Sequence, residues 1–274
     1  MMKRFACILP IILMFGLISC KSSQSKLELT PSERGSAKVI YEKAREMIRK
    51  NPERARMLFK EVMQLHPDSI YARRAKIGIA DAYFKQGDAA SLVVAASEYQ
   101  EYVNLYPNSP DAAYAKFQVG ECYFERMRKP ERDQTNTKAA IKAFQELLEL
   151  YPGTREARDA EKRIAECRDN LAMHNFRIGY YNYKYGAYRG AVQRFKYVID
   201  EFPDFSQYDR LFFYAGKAYM TMQDWKNALS FFQKVTNSYP KSKFARKAVK
   251  LMKEINKKLK TAEGAEEKRP EPAG

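Results

Sequence analysis

The side chains with the most reactive chemistry in this sequence are a few cysteines and two histidines. Cys20 has the most distinctive setting. It follows the small residue Ser19 behind an apolar run from Phe5 to Leu17, which is itself preceded by Lys3 and Arg4. A deprotonated thiol is a nucleophile, and a thiol at a small-residue boundary behind such a leader is placed for covalent modification where the leader is cleaved. Cys122 and Cys167 fall in helical patterns and read as buried small apolar residues, since two cysteines do not make a disulfide framework. His66 sits in a turn beside Pro67 and His174 inside a helical run, neither with Cys or His neighbours at metal-ligand spacing. There is no phosphate-cradling glycine loop, Gly-x-Ser-x-Gly or His-Glu-x-x-His. Carboxylates are plentiful, but on amphipathic helices they are ordinarily solvated surface. No catalytic residue and no metal ligand is expected, and the chain reads as a non-enzyme.

The leader is too short to span a bilayer as a permanent helix. Leu17-Ile18-Ser19-Cys20 resembles the lipobox of bacterial lipoproteins, in which the cysteine is diacylated and becomes the new N-terminus; the plainer reading is an ordinary cleaved signal. On the lipobox reading residues 1–19 are a signal peptide, 20–30 a polar tether, and the lipid on Cys20 the only prosthetic group. Lys21 stands where some bacteria use aspartate for inner-membrane retention, which favours the outer membrane. Loss of Lys3 and Arg4 takes the formal charge from +16 to +14. An exported chain meets no genome, so nucleic acid is not an expected partner. Anionic lipid, lipopolysaccharide-like material and acidic protein surfaces are the candidates for that charge.

The elements that would position any interaction site come from a repeat. An aromatic or His precedes proline at His66-Pro67, Tyr106-Pro107, Tyr151-Pro152, Phe202-Pro203 and Tyr239-Pro240. Eight residues before each proline stands an aromatic, Phe59, Tyr99, Phe144, Phe195 or Phe232, and four before that an alanine, Ala55, Ala95, Ala140, Ala191 or Ala228. Gly179 and Gly216 lie twelve residues before the last two alanines. This spacing resembles the tetratricopeptide repeat, a helix-turn-helix unit of about 34 residues. Gly and Ala allow close approach of the two helices, the aromatic fills the gap on the same face, and proline ends the second helix.

The expected fold is all-α: a solenoid of five such repeats in two blocks joined by a long helix, with a C-terminal capping helix. Residues 31–154 hold repeats 1–3, the second and third with insertions between their helices (Glu125 to Lys138 in the third). Residues 155–260 hold the linking helix, repeats 4–5 and the cap. The linking helix, from about Arg155 to Tyr185, carries Ile164, Leu171 and Ile178 at spacings of seven and is broken by Gly186. The end helix, Ser242 to Lys260, presents Phe244, Ala248, Leu251, Ile255 and Leu259 on one face, to cover the last repeat, and a row of lysines on the other. Residues 261–274 read as a disordered tail.

The first helices of stacked repeats line a concave surface. Residues three before, one after and four after the glycine position should face it, with Ala80 and Gly120 standing in for glycine in units two and three. That selects Ile77, Asp81, Phe84, Phe117, Glu121, Phe124, Phe176, Tyr180, Tyr183, Phe213, Lys217 and Met220. An aromatic-lined groove suits an extended or partly helical peptide with aromatic anchors; the alternative is that the rings pack between repeats.

From Arg132 to Pro203 the chain resembles the BamD family of outer-membrane assembly lipoproteins. The shared elements are Arg132-Asp133-Gln134, Asp159-Ala160 with Arg163, Arg168-Asp169 with Leu171-Ala172, and Tyr180-Tyr181 before Gly186-Ala187-Tyr188. The resemblance implies a non-catalytic subunit of the machinery that inserts β-barrel proteins, lipid-anchored on the periplasmic face of the outer membrane. The implied partners are a barrel subunit with periplasmic repeats, other assembly lipoproteins, and unfolded outer-membrane clients. It also implies docking of the barrel subunit near Arg194 and Tyr181, and client recognition in the groove, with Phe84, Phe117, Phe124, Phe176, Tyr180, Tyr183 and Phe213 as candidates. Two other readings differ in class. One is an envelope lipoprotein coordinating cell-wall or division enzymes; such relatives usually carry an N-terminal coiled coil, and no sustained heptad pattern precedes the first repeat here. The other is the helical superhelix of a lytic transglycosylase, for whose catalytic domain the repeats leave no room.

Overall fold

A computed structural model describes residues 29–266, with side chains to residue 261. The leader, Cys20 and most of the tether lie outside the described residues. A short helix α1 (Pro31–Arg34) precedes five antiparallel pairs. These are α2 (Ala37–Lys50) with α3 (Pro52–Leu65), α4 (Ile70–Gln86) with α5 (Ala89–Leu105), and α6 (Ala112–Glu125) with α7 (Thr135–Leu150). They continue with α8 (Arg155–Lys184) against α9 (Tyr188–Glu201) and α10 (Tyr208–Thr221) with α11 (Trp225–Ser238), closed by α12 (Lys243–Glu266). Each helix packs on its neighbours in sequence, which makes the chain an all-helical repeat solenoid.

The repeat signature is the packing code. All five alanines and all five aromatics eight residues before proline are completely buried. A Cβ added to Gly120, Gly179 or Gly216 would lie 2.3, 2.7 or 2.7 Å from the ring of Phe144, Phe195 or Phe232, so in three units the first helix touches the aromatic of the second through a missing side chain. Gly78 makes the same contact across units, 2.4 Å from the ring of Phe59 in the preceding unit.

The prolines shape the turns through the residue before them. His66, Tyr106, Tyr151, Phe202 and Tyr239 all end their helices with φ between −136 and −131° and ψ between 53 and 68°. A following proline excludes the helical region there. A hydroxyl two residues after the proline then holds the turn: Ser69 and Thr154 accept from the backbone N–H three residues on, at 3.1 Å, while Ser109 and Ser242 accept from the second residue on, at 3.3 and 3.1 Å. The turn after the fourth repeat has Phe205 at that position, and its ring is buried. Asp169, on α8, supplies the acceptor instead, taking the Ser206 N–H at 2.8 Å and the Ser206 hydroxyl at 2.9 Å. Asp169→Ala is expected to cost about 1 kcal/mol, the net worth of an intramolecular hydrogen bond, read as a lowered urea midpoint with an unchanged slope.

α8 runs 30 residues because nothing in Arg155–Lys184 stops it; it ends before Gly186, whose φ of +81° only glycine adopts freely. Its N-terminal part packs on the third unit and its C-terminal part is the first helix of the fourth. Ile164, Leu171 and Ile178 are only partly buried, and the buried residues are Ala157, Ala160, Cys167, Ala172, Met173, Phe176 and Gly179. Residues seven apart drift by only about 20° per step, whereas the buried face of α8 turns as its packing passes from the third unit to the fourth. The extra residues of the second unit lengthen α4 and α5 to 17 residues each instead of making a loop. Those of the third form the loop 126–134. α12 continues to Glu266, six residues into the segment read as a disordered tail; alanine and glutamate there favour a helix more than the single Gly264 opposes it.

Candidate interaction surfaces

The positions expected to face the groove divide by register. Those three residues before the glycine position belong to the packing: Phe176 is completely buried, Phe213 is 6% and Ile77 7% exposed, and Phe117 packs on Phe144 with centroids 5.5 Å apart. The reason is that i and i−3 share a helical face. A glycine turned to the second helix turns that residue the same way. Phe176 and Phe213 are therefore core rings, contrary to the sequence expectation.

Most positions one and four after the glycine are half-buried and form two distinct surfaces. In the C-terminal block, Tyr180 and Tyr183 meet Tyr214 of α10, with centroids 4.7 and 5.5 Å apart, and Tyr183 also meets Tyr188 at 5.8 Å. Arg210 lies 5.3 Å from the Tyr180 ring and Lys217 5.4 Å from that of Tyr183. Burial raises the Tyr214 phenol to about 12, so it stays a hydrogen-bond donor. This tyrosine cluster flanked by cations offers flat apolar faces and positive charge together, the features that hold an aromatic, carboxylate-bearing peptide.

In the N-terminal block the same positions are polar inside. Asp81 accepts from the hydroxyls of Tyr99 and Tyr114, the latter at 2.9 Å, and burial raises its carboxyl above the usual range. Glu121 is 8% exposed and takes a two-pronged bond from Arg163 of α8, at 2.8 and 3.0 Å. The Arg163 guanidinium also lies 4.3 Å from the Phe124 ring. Phe84 is half-buried at the edge of this cluster.

The docking candidates Tyr181 and Arg194 are not brought into one contact. Tyr181, 59% exposed, turns to Tyr185, 70% exposed, with centroids 4.3 Å apart. Arg194 donates to Asn175 Oδ1 at 3.0 Å and lies 5.9 Å from the ring of Tyr197, itself 44% exposed. Tyr185 and Tyr197 escaped the sequence reading, although Tyr185 follows Tyr181 at the i+4 spacing that signals a shared face.

Polar residues of α8 and of the 126–134 loop hold the two blocks together. Gln134 donates to the carbonyls of Lys129 and Arg132, both at 3.0 Å, and closes the 126–134 loop. α8 clasps that loop through Asn170 to Arg128 O (3.0 Å), His174 Nδ1 to Pro130 O, and an ion pair of Arg177 with Glu131. Arg168 donates to Glu201 O at 2.6 Å, on the turn that Asp169 also holds. Arg168, Asp169, Ile164, Ala165, Phe202 and Phe205 belong to the lining of a cleft of about 210 Å³ at this junction. Cys122 and Cys167 are free and buried, their thiols raised to about 12. Neither should react with a thiol reagent at neutral pH until denaturant is added, when both should.

A family model described as an outer membrane lipoprotein, YfiO, matches residues 33–227. The chain belongs to this family. The YfiO match spans both blocks and the clasp between them, and makes the protein an outer membrane lipoprotein built of tetratricopeptide-like repeats. Among solved structures, the chain is similar to the TPR2AB domain of yeast Sti1 in complex with pHSP90, at 16% identity over 86% of this chain and 88% of that one, TM-score 0.42. It is also similar to MamA, at 19% identity over 74% and 95%, TM-score 0.36. A third is YrrB, a TPR protein with an unusual peptide-binding site, at 18% identity over 80% and 94%, TM-score 0.33. No curated protein sequence matches.

Proposed function

We propose that this chain is a non-catalytic subunit of the β-barrel assembly machinery. It is lipid-anchored through Cys20 on the periplasmic face of the outer membrane, where it scaffolds the barrel subunit and receives unfolded client chains. Membership of the YfiO family carries this reading. The geometry supports a division of labour. The exposed Tyr181–Tyr185 pair and Arg194 belong to the fourth repeat and offer the barrel subunit aromatic and arginine anchors, the residue types that dominate binding energy. Tyr180 and Tyr183 with Lys217, and Phe84 and Phe124 in the other block, offer clients ring faces beside charge.

The test is purification of the tagged, membrane-extracted protein in mild detergent, with identification of what accompanies it. A large β-barrel subunit bearing periplasmic repeats is expected, and Arg194→Glu should release it. Recovery of wall hydrolases or division proteins in its place would overturn the reading.

A further inference from the structure

Between Lys226 and Thr261 the sequence holds eleven cations and a single carboxylate, Glu254. The fold gathers most of them on α12. Its buried stripe, Phe244, Ala248 and Ile255, lies against the last repeat. At about 100° per residue, the α12 cations occupy an arc of roughly 160° centred opposite that stripe. Arg246, Lys247, Lys250, Lys253, Lys257 and Lys260 are all exposed. Among the described residues, Lys258 is the only α12 cation with an ion-pair partner, Glu254 at 3.5 Å. Lys253, Lys257 and Lys260 converge with Asn256 and Thr261 on a shallow concavity of about 430 Å³. The four carboxylates of residues 262–274 are half offset by Lys268 and Arg269, which leaves a net charge of −2 there against the eight cations from Lys243 to Lys260.

We infer that this face of α12 docks on the phosphate headgroups of an anionic lipid surface. The residue types decide between that and an acidic protein. Lysine is depleted in protein interfaces, whose cores are apolar and water-excluding, and the outward side of α12 adds only Val249, 43% exposed. Lysine is a flexible, hydrated point charge suited to mobile phosphates, where arginine would give fixed two-pronged recognition. A helix of 24 residues, about 36 Å long, spreads that charge along a surface and not into a pocket. Each lysine within reach of an anionic membrane adds a separate increment of attraction, lost beyond a Debye length. In a lipoprotein, such a face is a second, reversible contact beside the acyl anchor.

The test uses the chain from residue 20 onward with Cys20→Ser, so that neither leader nor acyl chain contributes, and vesicles of phosphatidylcholine with or without phosphatidylglycerol. Binding is expected only with phosphatidylglycerol, falling as salt rises. Reversal at Lys250, Lys253 and Lys257 (K250E, K253E, K257E) should weaken it at least about a hundredfold with helical content unchanged. The same reversal at Lys38, Lys60 and Lys142, exposed on the N-terminal block, should leave most of it. Equal binding to both vesicle types, equal loss from either set of reversals, or equally tight binding to soluble polyglutamate overturns the inference; the last would make an acidic polypeptide the partner.

Discussion

Gly179→Val should destabilise the C-terminal block by about 3 kcal/mol, the upper range for inserting bulk into a packed core. A Cβ at this position lies 2.7 Å from Phe195 Cε1 and 3.3 Å from the Ala191 carbonyl oxygen. The ring has nowhere to go, because Phe195 is completely buried and stacked on Phe176 at 5.7 Å. The carbonyl is backbone and moves only if α9 moves. Valine recovers a few tenths of a kcal/mol of helix propensity over glycine, too little to offset the clash. Because a solenoid is held by neighbour contacts, the loss should be local. Amide exchange should accelerate from the second half of α8 through α12, while protection in α2 to α7 stays. Gly186→Ala is the control: its Cβ meets nothing within 4 Å, and only the φ of +81° opposes it, for about 1 kcal/mol. If G179V cost no more than G186A, the close approach of α8 and α9 would not be what the glycine serves.

What the sequence revealed and what it concealed follow from the range of the interactions. Ala191, Phe195 and Gly179 could be placed from their spacing because side-chain volume at a helix crossing is a local requirement repeated in every unit. The same logic misplaces Phe176 and Phe213, since an offset from glycine fixes a side only together with the direction in which the glycine faces. The hold on Ser206 leaves no local mark in the sequence, because its acceptor, Asp169, lies 37 residues earlier and compensates for a hydroxyl absent from one turn only. The clasp on the 126–134 loop was half visible. Asn170, His174 and Arg177 stand at i, i+4 and i+7, one helical stripe, but the backbone carbonyls that two of them reach leave no mark in a sequence. Polar groups that bond to backbone are thus the least legible residues of the chain, and here they are the ones that join its two blocks.

Arg163→Ala is the change expected to act on that junction most strongly. Its guanidinium spans 42 residues to Glu121, whose carboxylate is nearly buried and has no other ion-pair partner among the described residues. Truncation leaves a desolvated charge behind, and breaking a fully buried pair costs about 3–5 kcal/mol. Arg163 is 32% exposed, so water screens part of the pair and about 2 kcal/mol is the better expectation. The Phe124 face loses its cation as well. Lysine should not restore the full amount, because it supplies neither the fork nor the flat stacking surface. The effect carries a pH signature. Burial already raises the Glu121 carboxyl above its ordinary 4.5, and removal of Arg163 raises it further. A carboxyl that binds its proton more tightly folded than unfolded lowers stability as pH rises from the unfolded pKa through the folded one. The deficit of the variant should therefore be full at neutral pH and shrink on acidification towards that unfolded value, where Glu121 folds as a neutral acid. Urea titrations of both proteins across this range would show it. A deficit independent of pH would mean that Arg163 works through its contact with Phe124 and not through the buried carboxylate.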